Sequence, residues 1–147
     1  MIIFLDTSAW IKYFIEETGT LEIQKFIFNK SKSGENSFAT SAVTYAEFYA
    51  TIKRALRGNR IDHAQYNHVK NEFEKQWKNI NVPIVNNELI ENSGKLAERY
   101  ALKGCDAFQL ASAIAIKTDL FINSDRELEL AARNCNIKVW NPSDSVP

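Results

Sequence analysis

The sequence predicts an α/β domain built around a mostly parallel sheet. Three observations carry the prediction. Ile2, Ile3, Phe4 and Leu5 form an unbroken apolar run that stops at Asp6, and Leu120-Phe-Ile-Asn repeats the pattern late in the chain. Continuous apolar runs bounded by turn-type residues suit strands buried on both faces, as parallel sheets require. Short strand signals also alternate with longer stretches of helical period, the signature of βαβ units. Finally, 147 residues fit one domain, which buries roughly 68–70% of its unfolded surface and needs no staples.

After Asp6, the residues Ala9, Trp10, Tyr13 and Phe14 mark one face of a short helix. Gly19 breaks the chain before a second helix carrying Leu21, Ile23, Phe26, Ile27 and Phe28, and residues 31–37 form a polar loop. Phe38-Ala-Thr is a short strand. In the helix that follows, Val43, Ala46, Tyr49 or Ala50, Lys53 and Leu56 recur at helical spacing, with Gly58 as its C′ stop. Ile61 to Trp77 reads as a more polar helix with Tyr66, Val69, Phe73 and Trp77 on one stripe, and Asn81-Val-Pro-Ile-Val as a strand whose proline favours an edge. Asn87 to Leu102 is helical and stops near Gly104. The helix opened by Asp106 is apolar nearly all round and therefore buried. A further helix runs from Ser124 to about Asn134, Ile137-Lys-Val-Trp is the last strand, and 141–147 is a tail.

Lysine plus arginine match aspartate plus glutamate at 18 each, which argues against attachment to nucleic acid by bulk charge but leaves room for a local basic groove. Two cysteines, Cys105 and Cys135, with no CxxC spacing, read as buried or idle thiols of an intracellular protein. The four-residue apolar run at the start is no signal peptide. No window approaches the ~20 apolar residues of a membrane span. A cytoplasmic location is the expectation.

Ligands of parallel sheets bind beyond the carboxyl ends of the strands, where the following helices also begin. Acids sit at such junctions: Asp6, Glu47, Asp106 and Asp125. Each has an ordinary alternative. Asp6 and Asp106 suit N-caps, and Thr44-x-x-Glu47 and Ser124-x-x-Glu127 match capping boxes. Capping needs only an oxygen, however, and Ser or Thr would serve. Carboxylates gathered together repel and raise one another's pKa values unless a cation lies between them. An all-oxygen, histidine-poor set suits Mg²⁺ or Mn²⁺, and such a site can activate water and steady the leaving oxygen of a phosphodiester. His63 and His68 lie in the polar helix, away from these junctions. Asp119 precedes its strand and closes a loop at the opposite edge.

Phe4-Leu-Asp6-Thr-Ser8, the Glu47 helix, Asp106-Ala-Phe-Gln-Leu-Ala-Ser-Ala and Leu120-Phe-Ile-Asn-Ser-Asp125-Arg-Glu-Leu resemble, in that order, the PIN-domain family, in particular the toxin ribonucleases of VapBC toxin–antitoxin pairs. The likeness runs from Ile2 to about Trp140. It implies a single PIN-like domain over residues 1–147, with a parallel sheet of about five strands flanked by helices. It also implies Mg²⁺- or Mn²⁺-dependent endoribonuclease activity on single-stranded RNA. The family's acidic quartet falls on Asp6, Glu47, Asp106 and Asp125, as both catalytic residues and metal ligands. Ser8 matches the hydroxyl that helps orient the first acid. Where relatives commonly carry Thr or Ser two residues before the last acid, this chain has Asn123, which can still hydrogen-bond. The resemblance further implies a VapB-like antitoxin seated in a groove between the early helices, and a homodimer.

Lys53, Arg54, Arg57 and Arg60 follow the Glu47 helix. They read either as phosphate contacts beside the acids or as a solvated helix end whose cations complement the dipole; the same segment is also a candidate antitoxin contact. Of the rival functions, a haloacid-dehalogenase phosphatase wants a second Asp where Ser8 stands, and a receiver module wants an acid pair after the first strand. A solitary RNA-processing nuclease, or a silent PIN fold serving as a binding module, are the alternatives within the family.

Overall fold

In the computed structural model, which describes residues 1–144, a sheet of parallel strands lies between two layers of helix. Its strands are β1 (Ile2–Leu5), β2 (Ser37–Ala39), β3 (Leu120–Ile122) and β4 (Val139–Trp140), in the order β2-β1-β3-β4. β1 is therefore central, pairing Ile3 with Phe38 on one side and with Leu120 on the other. That explains its apolar run: Ile3, Phe4 and Leu5 are all buried, as are all three residues of β3. The fifth strand expected at Asn81 reduces to one parallel bridge, Ala39 to Asn81. Pro83 has no N–H to extend it.

Helices α1 (Thr7–Phe14), α2 (Thr20–Lys32), α3 (Val43–Arg57) and α4 (His63–Trp77) build one core with Ile3, Leu5 and Ile122. Phe48 and Phe73 stack at 3.8 Å at its centre. Helices α5 (Asn87–Tyr100), α6 (Gly104–Ala115) and α7 (Arg126–Asn134) build the other with Phe4 and Phe121. Alternate residues of β1 thus serve opposite layers. No helix among the described residues is long and apolar enough to cross a membrane.

Several expected boundaries shift. The buried face of α3 is Thr44, Phe48, Ile52 and Ala55, a register apart from the expected stripe. The left-handed residue after α3 is Asn59 (φ 55°), not Gly58. Arg60 N–H donates to Ala55 O and Asn59 N–H to Leu56 O, a Schellman arrangement with Asn59 at C′. α5 ends at Ala101 in the left-handed region (φ 52°), and Gly104 opens α6 instead of stopping its predecessor. Of the tail, residues 141–144 are tied down: Lys12 Nζ donates to Ser143 Oγ at 3.0 Å, and Gly19 (φ +94°) passes so close to Pro142 that a Cβ would stand 2.5 Å from its carbonyl. Residues 145–147 of the expected tail lie outside the described residues.

At the amino edge of the sheet Asp119 accepts from Ile2 N–H at 2.6 Å, the loop-closing role expected of it. Asp119→Ala is expected to lower stability by about 1 kcal/mol, the net worth of one exposed hydrogen bond, without altering any activity at the opposite edge. Paired melting and activity measurements check this.

Candidate active site

At the carboxyl edge, the chain leaving each of β1, β2 and β3 turns into a helix. Asp6 and Asp125 sit on the first and third of these turns, Glu47 lies within the helix after the second, and Asp106 comes from α6, which follows α5 and not a strand. Asp6, with extended backbone, N-caps α1: its Oδ1 accepts from Ala9 N–H at 2.8 Å and from Ser8 Oγ at 2.6 Å. Ser8 Oγ in turn accepts from Ser124 N–H at 2.9 Å, joining the first and third crossovers. Asp125 N-caps α7 through Oδ1 to Leu128 N–H, 2.9 Å. Asn123, fully buried, accepts from Asp125 N–H at 3.1 Å. Glu47 Oε1 accepts from Thr7 Oγ1 at 2.7 Å and Gln109 Nε2 at 3.0 Å. Three acids thus commit one oxygen to these partners, and the Cys105 thiol, itself in the cleft, also hydrogen-bonds Glu47.

Three cap assignments are corrected. Lys103 takes the N-cap position of α6 with no side-chain cap, so Asp106 sits inside the first turn. α3 starts after Ala42 with no side-chain cap, so Thr44 and Glu47 make no capping box. Thr44 Oγ1 is engaged by Thr40 and Gln109 instead, and Glu47 lies in the second turn. The Ser124 box is likewise replaced by the Asp125 cap.

Asp6, Glu47, Asp106 and Asp125 line one open cleft of about 780 Å³, together with Ser8, Thr7, Glu17, Arg60, Lys103, Cys105 and Gln109. Burial, above all, pushes the Asp6 carboxyl up to about 7; the Ser8 and Ala9 hydrogen bonds pull it down, and Asp106 and Glu47 push it up further. Asp106 is also raised, by burial and then by Asp125 and Glu47, with Lys103 opposing. Burial and the same two neighbours, Glu47 and Asp106, raise the Cys105 thiol. Carboxyl groups whose pKa is raised by burial and by one another's charge fit a divalent cation, which binds and favours the ionised form. The oxygen donors suit Mg²⁺ or Mn²⁺. Among the described residues no three acid, histidine or cysteine side chains are gathered tightly enough to hold an ion alone. Such spacing is compatible with Mg²⁺, which keeps several waters and takes one or two carboxylates plus substrate phosphate.

The PIN domain family matches residues 3–134. This chain belongs to the PIN-domain family. Ribonuclease VapC45 of Mycobacterium tuberculosis (strain CDC 1551 / Oshkosh) is 24% identical over 140 residues, 94% of either chain. Among solved structures, VapBC2 from Rickettsia felis bound to a DNA fragment from their promoter superposes with a TM-score of 0.67 at 14% identity, covering 96% of this chain and 98% of that one. VapBC-1 from nontypeable Haemophilus influenzae gives 0.64 at 18% identity, covering 98% and 100%. These structural likenesses concern the fold.

In this PIN domain the basic segment is arranged differently from its simplest reading. Lys53 lies over the Tyr66 ring at 5.3 Å, Arg54 donates to Thr51 at 3.0 Å, and neither they nor Arg57 line the cleft. Arg60 does, because the left-handed Asn59 turns it off the helix, and Glu17 holds it at 3.6 Å. Glu17 is itself paired at 3.1 Å with Lys12, a lysine buried in α1. The sequence signal for Arg60 was an Asn after a glycine at a helix end. Gln109 was signalled as the lone amide in an apolar helix, one turn after Asp106. His63 and His68 are exposed on α4, as expected. Both cysteines are free, but neither is buried: Cys135 is half-buried and Cys105 is exposed in the cleft.

Proposed function

We propose that this PIN domain is a VapC-type toxin: a Mg²⁺- or Mn²⁺-dependent endoribonuclease that cuts single-stranded RNA and is held by a VapB-like antitoxin. The observation that carries this reading is the convergence of Asp6, Glu47, Asp106 and Asp125 on one cleft open enough for a strand. The similarity to a ribonuclease VapC and to VapBC structures supports it. The metal, when bound, supplies a Lewis acid that activates water and neutralises charge on the phosphodiester. Asp6 and Asp106 are its principal holders, with Glu47 and Asp125 completing the acid wall. Ser8 keeps Asp6 in one rotamer through its 2.6 Å hydrogen bond. Arg60 and Lys103 bind the flanking phosphates, Arg60 exchanging Glu17 for the incoming anion. In-line attack leaves a 5′-phosphate and a 3′-hydroxyl.

For the antitoxin, the supporting feature is an apolar pocket of about 280 Å³ between α1, α2 and the end of α4, lined by Trp10, Tyr13, Ile27, Phe28, Phe38 and Ile80. Phe28 is 59% exposed there, and apolar grooves of this kind receive amphipathic partner segments. A homodimer is supported by the exposed Ile84, Ile90 and Ile114 on and beside α5 and α6.

The test compares wild-type protein on single-stranded RNA in Mg²⁺, Mn²⁺ and EDTA. Cleavage is expected with either ion and none with chelator; cleavage that survives EDTA overturns the mechanism. Arg60→Ala is expected to raise KM roughly 10-fold, the worth of about one charge-assisted contact, with kcat nearly kept. Lys53→Ala is expected to leave both unchanged.

A further inference from the structure

We propose that Gln109 and Thr7 are positioning residues for Glu47: together they clamp its Oε1, so that Oε2 alone is offered to the cleft. This rests on the nuclease reading and goes beyond it. Gln109 is 2% exposed in the middle of α6, where an apolar residue would pack at no polar cost. Its Nε2 lies 3.0 Å from Glu47 Oε1, 2.9 Å from Thr7 Oγ1 and 2.9 Å from Thr44 Oγ1. A carboxylate only accepts, so the amide must turn its N–H₂ toward Glu47. The orientation leaves Gln109 Oε1 buried with no partner among the described residues. An unmade buried hydrogen bond is a standing cost, and here the return is the grip on Glu47.

Thr7 supplies the second donor at 2.7 Å from α1, directly after Asp6. Thr44 backs the amide, and Thr40, whose hydroxyl donates to Leu5 O at 2.6 Å, ties the assembly to the end of β1. Glu47 is thereby fixed relative to Asp6 by four elements and not by the α3 backbone alone. Outer-shell donors of this kind hold an acid in the orientation a bound ion needs.

The test uses Mn²⁺ alone as the probe, titrated into metal-free protein and followed by electron paramagnetic resonance, with RNA cleavage measured separately. Thr7→Val and Gln109→Met, close in shape and lacking the donors, are each expected to weaken Mn²⁺ binding ~10-fold and to lower kcat with KM for RNA held. Thr7→Ser restores both. In a Glu47→Gln background, Thr7→Val changes Mn²⁺ affinity less than about twofold, because the group it positions is gone. Wild-type Mn²⁺ affinity in the folded single variants overturns the proposal, as does an equal loss in both backgrounds, which marks a packing effect. Should Gln109→Met fail to fold, the half-buried Thr7 pair decides. Wild-type protein that binds Mn²⁺ but spares RNA refutes the nuclease reading alone, and the Mn²⁺ arm still judges the clamp; wild type that binds no Mn²⁺ refutes both.

Discussion

Asp6→Asn is expected to reduce RNA cleavage by ~10³-fold, about 4 kcal/mol of transition-state stabilisation, and at the same time to make the metal-free protein more stable above pH 7. The two effects share a cause. Asp6 is 4% exposed and is raised to about 7 from 3.8. Below pH 4 both folded and unfolded chains carry the proton, and the group is neutral in its effect. As pH rises from 4 to 7 the unfolded chain loses its proton while the folded one keeps it, so folding stability falls. Above 7 the deficit is complete and on the order of 4 kcal/mol. Asn keeps an oxygen for Ala9 N–H and Ser8 Oγ but carries no charge. Denaturant unfolding in EDTA across pH 4–8 should show the variant pulling ahead of wild type through that window and then holding its lead. Added Mn²⁺ should close the gap by stabilising wild type. Parallel curves at all pH values would refute the buried-acid account.

Phe73→Ala is expected to remove about 4 kcal/mol of stability, within the range for emptying a buried aromatic site. Phe73 is fully buried, stacks on Phe48 and meets Trp10, Phe14, Tyr45, Tyr49 and Trp77 edge-on or tilted. Of α4, only Val69 and Phe73 are buried. The helix therefore depends on this ring, helped by Tyr45 and Tyr49, which both donate to Glu74. A lower urea midpoint together with faster amide exchange in 63–77 than elsewhere would confirm it; an unchanged midpoint would refute it.

The sheet and its acids were legible because parallel strands write themselves as apolar runs and the functional edge begins where the run stops. Ile2–Leu5 ending at Asp6 carries both facts. What stayed hidden was decided by backbone conformations that leave little trace. Helix ends were read from glycine, but Asn59 and Ala101 take the left-handed positions, and so Arg60 was grouped with Lys53, Arg54 and Arg57, although of the four it alone lines the cleft. Capping boxes were read from local spacing, but the Thr44 hydroxyl oxygen is approached by Thr40 and Gln109, 4 and 65 positions away. Lys12 drew no reading from the sequence; it is buried in α1 and its ammonium reaches Glu17, Thr18 and Ser143. Cap and cleft readings of Asp6 and Asp125 also proved compatible, since one oxygen serves each purpose.

The place of β1 in the sheet has a consequence for how the protein is made. β1 is central, and its neighbour β3 is translated more than a hundred residues after it, at Leu120. Asp125, and the Ser124 amide that anchors Ser8, arrive later still. Pairing of such sequence-distant strands is slow because loop closure must precede any reward. A growing chain therefore holds Asp6 ready for most of its synthesis without a cleft to put it in. The acid cleft stays incomplete until Leu120 and the residues after it are free to fold.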